Sequence, residues 1–194
     1  MSGVVGGRAV VAQAVGVGLV ASAVGAARAL AAYRPRAVVL LGSYGLFPGR
    51  TGELLELASV SHVQLVDGHV FDGRAAIPDP MPTHLALDSS LAAALACVAG
   101  RLPEVTMATT LAITTDDQLA MRLAQLCECR GENLEAFSVA HACDREGVPM
   151  VALLGATNWV GSQGRAQWQK HHALVAKRTA EAVLQWLEGG IAGL

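Results

Sequence analysis

The sequence is poor in charged and in aromatic side chains. Of its 194 residues, 15% are charged and 4% are aromatic, whereas 53% are hydrophobic. The net charge of −2, without a cluster of lysine or arginine, argues against a nucleic-acid partner, because such a surface needs several phosphate contacts. The length suits one domain over residues 1–194, and the abundant alanine, valine and leucine suit close packing of helices on a sheet.

The chain also lacks a Cys-x-x-Cys pair and an uninterrupted apolar span. Its four cysteines lie in apolar segments, which indicates reduced core thiols and a cytoplasmic protein; they are Cys97, Cys127, Cys129 and Cys143. Residues 9–27 are uncharged and about long enough to cross a bilayer, but Gln13, Ser22 and several glycines interrupt them. We therefore expect no membrane partner.

The order of the predicted elements indicates an α/β fold. Residues 9–15 are predicted as a buried strand, Gly16-Val17-Gly18 as a tight turn, residues 19–33 as a helix and residues 37–41 as a second strand. Strand, helix and strand at this spacing form a βαβ unit, which implies parallel pairing. We therefore predict a single-domain, mixed but mostly parallel sheet flanked by helices.

Further strands and helices follow along the chain. Strands are predicted within residues 57–70, at 105–113 and at 148–154, and helices at 85–99, from Asp117 to about 129, at 135–146 and near the C-terminus. Residues 42–45, 114–117 and 156–159 then follow strands as polar or glycine-rich loops. Since parallel strands bind ligands at their carboxyl ends, we expect these loops to converge on one cleft.

Several local patterns suggest chemistry that the rest of the sequence does not support. Gly16-x-Gly18 lacks the third glycine of a dinucleotide site, so we interpret it as a turn and expect no cofactor. Asp67, His69 and Asp72 lack regular ligand spacing, so we expect a solvated loop and no metal. Ser43 has no identifiable base beside it, which argues against a serine nucleophile.

Glu132 and Glu135 are three residues apart, and two interpretations of them stay open. On a helix they share one face and could act as a carboxylate pair. Acidic residues are also common at helix N-termini, where the helix dipole favours negative charge.

The segment Glu132-Asn133-Leu134-Glu135, with the residues that follow it to Cys143, resembles the Glu-Met-Glu-Gly signature of the purine nucleoside phosphorylase and nucleosidase superfamily. Residues 37–47 resemble the family's strand and glycine-serine loop that line the ribose. Residues 148–158 resemble the strand that ends in the base-binding acid or amide. Within the superfamily the resemblance is nearest to futalosine hydrolase, whose pattern is similar to Thr157, Asn158, Arg165 and Trp168 here.

This resemblance implies a function and a set of site residues. Glu135 would hold the ribose hydroxyls and Asn158 would bind the purine at N7 or O6, and these two are the catalytic residues implied. The other substrate-binding residues implied are Gly42, Ser43, Tyr44, Ile113, Thr114, Leu134 and Phe137. The reaction implied is hydrolysis of the N-glycosidic bond of a purine nucleoside, with futalosine of menaquinone biosynthesis as the favoured substrate and hypoxanthine as the product. Family members assemble as oligomers, and we expect a cytoplasmic homo-oligomer, with a dimer favoured.

The chain also departs from the family pattern. No glutamate precedes Glu53, although family enzymes carry one early that helps to activate water, and Leu154 stands where an arginine is common. These departures leave two alternatives: a catalytically impaired, nucleoside-binding homologue or partner subunit, and a nucleoside phosphorylase. Residues 49–51 (Gly49, Arg50 and Thr51) are the candidates for holding phosphate in the latter.

Overall fold

The computed structural model describes residues 1–98 and 102–189, with the backbone alone at Val98. Two strands form a separate hairpin and six form the main sheet, with helices on both sides. The elements in chain order are β1 (Ser2–Val5), β2 (Arg8–Val11), α1 (Leu19–Tyr33), β3 (Val38–Leu46), β4 (Leu57–Leu65), α2 (Gly68–Phe71), β5 (His84–Ala86), α3 (Ser89–Val98), β6 (Glu104–Thr109), α4 (Asp117–Leu126), β7 (Gly131–Asn133), α5 (Ala136–Arg145), β8 (Met150–Trp159) and α6 (Gly164–Glu188).

The main sheet closes on itself. Its order is β5-β4-β6-β7-β3-β8, and β4 also pairs with β8. The pairs β3–β8, β4–β6 and β6–β7 are parallel, whereas β3–β7, β4–β5 and β4–β8 are antiparallel. Since β4 contacts both β6 and β8, five strands form a ring and β5 lies outside it. The predicted mixed sheet flanked by helices is confirmed.

Two helical layers cover the sheet, and β8 shows how they divide. Val151 and Leu153 pack with α3 and α6, whereas Ala152 and Leu154 pack with α1 and α5. Adjacent residues of a strand point to opposite faces, so a strand buried on both faces becomes a continuous apolar run. None of the helices in the described part of the chain combines the length and hydropathy needed to span a bilayer. Cys127, Cys129 and Cys143 are buried as predicted, whereas Cys97 is exposed.

The predicted buried strand at residues 9–15 is wrong. Strand β2 ends at Val11, is largely exposed, and pairs antiparallel with β1 instead of joining β3. Gly6 and Gly7 form the hairpin turn with φ of 54° and 77°, a conformation that two consecutive glycines adopt without strain. The βαβ unit predicted from these residues is therefore absent. The helix α1 is confirmed at the predicted residues.

Strands β3 and β8 run further than predicted, so residues 42–45 and 156–159 are strand rather than loop. The register shifts between the pairs Tyr44–Ala156 and Gly45–Asn158, which leaves Thr157 as a bulge residue. A side chain on Gly45 would lie 2.9 Å from Asn158 Nδ2, so the absence of one lets the Asn158 amide approach the strand. The polar residues at these strand ends are thus placed by sheet pairing.

One edge of β3 has little pairing. Along Val38–Leu46 it pairs with β8, but on its other edge the pairing among the described residues is limited to Gly45 and Leu46 with β7. The part of β3 without a partner on this edge and residues 10–15 both border one cleft.

We predict that Gly25→Ala destabilises the protein, although alanine favours helices by about 1 kcal/mol over glycine. A Cβ at Gly25, inside α1, would overlap the backbone carbonyl of Val15. Overpacking of this kind costs about 1–3 kcal/mol. Urea unfolding measures the difference, with Val24→Ala as the control because Val24 is an exposed neighbour in the same helix. A Gly25→Ala protein at least as stable as the parent would contradict the close approach.

Candidate active site

The polar residues singled out by the sequence border a cleft of about 1470 Å³. We call the part lined by Ser43, Thr114, Glu132, Glu135 and Asn158 the polar end. The cleft exceeds the roughly 300–1,000 Å³ of ordinary small-molecule sites. The excess arises because it continues into an apolar slot between residues 10–15 and the unpaired edge of β3.

Glu135 is held rigidly at the start of α5. It is the residue that precedes the helix, and its carboxylate is half-buried. Oε1 accepts a hydrogen bond of 2.9 Å from the Gly18 N–H, and Oε2 accepts one of 3.1 Å from Asn133 Nδ2. Each carboxylate oxygen can accept two hydrogen bonds. The carboxylate can thus still receive a pair of ligand hydroxyls.

Asn133 orients Glu135, and sequence reasoning gave it no such role. Its Oδ1 accepts from the N–H groups of Glu135 and Ala136, both at 2.7 Å, and so caps α5. Its Nδ2 donates to the Ser43 carbonyl at 2.9 Å as well as to Glu135. An amide is needed because the position must both accept and donate. The available signal was an asparagine three residues before the helix starts at Ala136.

Glu132 does not share a helix face with Glu135, so of the two open interpretations the carboxylate pair is wrong. It lies on β7, is 6% exposed, and accepts hydrogen bonds from Thr114 N at 2.8 Å and Thr114 Oγ1 at 2.7 Å. Burial raises the pKa of the Glu132 carboxyl, and the two hydrogen bonds from Thr114 act in the opposite direction. The helix-start interpretation fits Glu135 and does not fit Glu132.

Asn158 stands at the end of β8, directly after the bulge. Its Oδ1 accepts from Thr157 Oγ1 at 2.8 Å, and its Nδ2 donates to the Trp159 carbonyl at 3.0 Å. The side chain is half-buried and borders the cleft. Its amide plane is therefore set by its own neighbours before any ligand arrives.

The remaining predicted site residues divide into two groups. Those that border the cleft beside Glu135 and Asn158 are Gly42, Ser43, Ile113, Thr114 and Leu134. Tyr44 also borders it, but its ring is 2% exposed and packs in the core, where burial raises the pKa of its phenol to about 12. Phe137 is not brought to the cleft, because it lies on the buried face of α5 and stacks on His141.

A stack of three side chains lies on the first turns of α6. The Arg165 guanidinium carbon is 5.1 Å from the centroid of the Trp168 ring, and Trp168 stacks on His172 with centroids 4.4 Å apart. Arg165 and Trp168 border the cleft. A guanidinium held on an indole can receive an anionic aromatic group.

The candidate metal and phosphate ligands have other partners. Asp67 caps α2 by accepting from the His69 N–H, and Asp72 pairs with Arg122 at 2.5 Å. Within residues 1–98 and 102–189, no group of three or more metal-ligating side chains occurs.

Arg50 donates to the carbonyls of Ala124 and Cys127 near the end of α4 and does not border the cleft, so a phosphate role has no geometric support.

The fold is similar to that of solved nucleosidases. Futalosine hydrolase of Helicobacter pylori (a mutant) superposes with a TM-score of 0.87 at 18% identity, over 97% of this chain and 84% of that one. The 5′-methylthioadenosine/S-adenosylhomocysteine nucleosidase of the same organism gives 0.87 at 17%, over 97% and 84%. The corresponding nucleosidase of Colwellia psychrerythraea, in complex with adenine, gives 0.84 at 20%, over 96% and 80%.

The likeness lies in the fold. No protein-family model matches the sequence, and no curated protein matches it either.

We predict that Asn133→Asp lowers the free energy of unfolding by about 1–3 kcal/mol. The aspartate keeps both caps of α5, but it cannot donate to Ser43 and it adds a negative charge beside Glu135. Denaturant unfolding compares it with Gln125→Glu, the same chemical change at an exposed site on α4. Equal stability of the two variants would refute the role given to the Asn133 amide.

Proposed function

We propose that this chain is an N-glycosidase that hydrolyses a purine nucleoside. The observation that carries the proposal is the Glu135 carboxylate, which Gly18 and Asn133 hold at the polar end with room for two hydroxyl donors. A ribose presents such a pair in its 2′- and 3′-hydroxyls. The fold shared with nucleosidases supports the same interpretation.

The chemistry of the reaction suits these side chains. As the N-glycosidic bond breaks, positive charge develops on the ribose, and a fixed carboxylate at Glu135 stabilises it. Negative charge develops on the leaving purine, and the Asn158 amide can bind that charge at N7 or O6. A single hydrogen-bond donor that stabilises developing charge is typically worth about 10²–10³-fold in rate.

Futalosine is the substrate we propose. It is a purine nucleoside whose 5′ side carries an aromatic carboxylate, and its hydrolysis would release hypoxanthine in menaquinone biosynthesis. The stacked Arg165 and Trp168 offer a cation and a ring to such a group. Arg34 and Arg36 also border the cleft. With Arg165 they outnumber the carboxylates of Glu132 and Glu135 there, so an anionic ligand is favoured.

A binding function without turnover is the second candidate. Glu132 and Glu135 are the two carboxylates among the described residues that border the cleft. Glu132 already accepts two hydrogen bonds from Thr114, and the ribose hydroxyls would bind Glu135. Neither carboxylate is therefore available as the base that activates water. A nucleoside-binding homologue or partner subunit needs no such base.

We further propose a cytoplasmic homodimer. Leu111 and Ile113 are apolar and 76% and 52% exposed on the loop beside the cleft, which suits burial against a second copy.

We predict that Glu135→Gln lowers kcat/KM for release of the base by about 100-fold or more, because it removes the charge that opposes the developing cation. The assay incubates the protein with futalosine, inosine or methylthioadenosine, with and without phosphate, and follows the free base. Glu146→Gln is the control, since Glu146 is exposed at the opposite end of α5. Base release that occurs only with phosphate would show that the reaction is phosphorolysis and not hydrolysis.

Two further outcomes separate the candidates. Binding that Glu135→Gln abolishes, without release of base by the parent protein, would favour the binding function. A parent protein that binds none of the three nucleosides would refute the site.

We predict that Arg165→Ala lowers kcat/KM for futalosine and leaves kcat/KM for inosine unchanged. Loss of a hydrogen-bonded cation from an anionic ligand costs about 1.5–3 kcal/mol, or roughly tenfold or more in kcat/KM. Lys170→Ala, an exposed cation on the same helix, is the control. An equal loss on both nucleosides would show that Arg165 does not contact the 5′ group.

A further inference from the structure

One wall of the cleft that Glu135 lines is a loop with little packing of its own. Residues 110–116 connect β6 to α4 without regular structure. Ile113, Thr114 and Thr115 border the cleft, and the apolar side chains of Leu111 and Ile113 are largely exposed. The position of this wall therefore depends on polar contacts.

Those contacts lie at Thr114 and at the start of α4. Glu132 accepts hydrogen bonds from both the N–H and the hydroxyl of Thr114, at 2.8 and 2.7 Å, and both residues are buried. The Thr114 carbonyl accepts from Gly161 N at 3.2 Å. Asp117 accepts from Ser162 N at 2.8 Å and from Ser162 Oγ at 2.9 Å. The loop is thus tied to β7 on one side and to the β8–α6 connection on the other.

The tie to Glu132 is the buried one. Desolvating a carboxylate is costly, and charge-assisted hydrogen bonds offset that cost. Replacing the acceptor would leave two buried donors of Thr114 unsatisfied, whereas the Asp117 contacts are exposed and can exchange with water.

Strand β7 links this wall to the proposed ribose site. Glu132 and Asn133 are adjacent in the strand, so their side chains leave it on opposite sides. Glu132 reaches Thr114, and Asn133 reaches Glu135 and Ser43. We propose that Glu132 is a positioning residue, which holds the Ile113–Thr115 wall at a fixed distance from Glu135 so that the nucleoside is gripped between them. This role rests on the proposed function.

The test is Glu132→Gln, which keeps the shape but removes the negative charge that strengthens both hydrogen bonds from Thr114. Hydrogen exchange of the peptide spanning residues 110–116, measured without a nucleoside, should speed up by about tenfold. KM for the nucleoside should rise by about tenfold, with a smaller change in kcat, because the wall contacts the ligand and not the bond that breaks. Unchanged exchange, or faster exchange with an unchanged KM, would overturn the proposal.

Controls separate this effect from general damage and from failure of the proposed function. Asp88→Asn removes a carboxylate that likewise accepts from a hydroxyl and an N–H, those of Ser90 and Leu91, and should leave the loop unchanged. Thr114→Ser keeps both donors, so the exchange of residues 110–116 should stay as in the parent. If Glu132→Gln does not fold, Thr114→Val serves instead, because it loses the hydroxyl alone. It should accelerate the exchange of residues 110–116 by a smaller factor. No acceleration would refute the contact between Thr114 and Glu132. Because the exchange is measured without a nucleoside, it is independent of nucleosidase activity.

Discussion

The amide of Asn133 makes four hydrogen bonds at once, and the geometry of the polar end depends on them. Its oxygen accepts from two N–H groups that open α5, and its nitrogen donates to the Ser43 carbonyl and to Glu135. One planar group therefore fixes the start of a helix, the end of β3 and the direction of a carboxylate. A buried amide that satisfies all its partners is rigid, since any rotation breaks two bonds at once.

Strand β7 carries the Asn133 amide at its end, directly before α5. Gly131 lies against the backbone of Gly45, and a side chain there would overlap the Gly45 carbonyl. The strand pairs antiparallel with β3 over two residues and parallel with β6 over three, so it closes the ring between strands of different direction. Directly after it the chain turns into α5. Three residues thus close the sheet and place Glu132 and Asn133 toward opposite walls of the cleft.

Local signals predicted those parts of the fold that local chemistry determines. Helix α1 has the predicted bounds, and Asp116 caps α4 by accepting from Leu119 N, as its position before the helix indicated. The hairpin of β1 and β2 was missed because its apolar run was interpreted without the Gly6-Gly7 turn. Strands β3 and β8 were predicted too short, because glycine, threonine and asparagine favour turns and the bulge at Thr157 exists only through pairing. The Glu135 site was indicated by the family resemblance. Its distant contacts, from Gly18 to Glu135 and from Asn133 to Ser43, join segments far apart in sequence, and no local pattern specifies them.

Binding and turnover make different demands on this cleft. Ribose binding needs a carboxylate of fixed direction, and base binding needs an amide of fixed plane, and the described chain places both before a ligand arrives. In the reaction that we propose, cleavage proceeds by stabilising opposite charges at the two ends of one bond, with Glu135 at the sugar and Asn158 at the purine. Neither role requires a proton to move through either side chain. In the proposed reaction, these two residues therefore promote the breaking of the bond. The water then attacks the sugar because positive charge has developed on it.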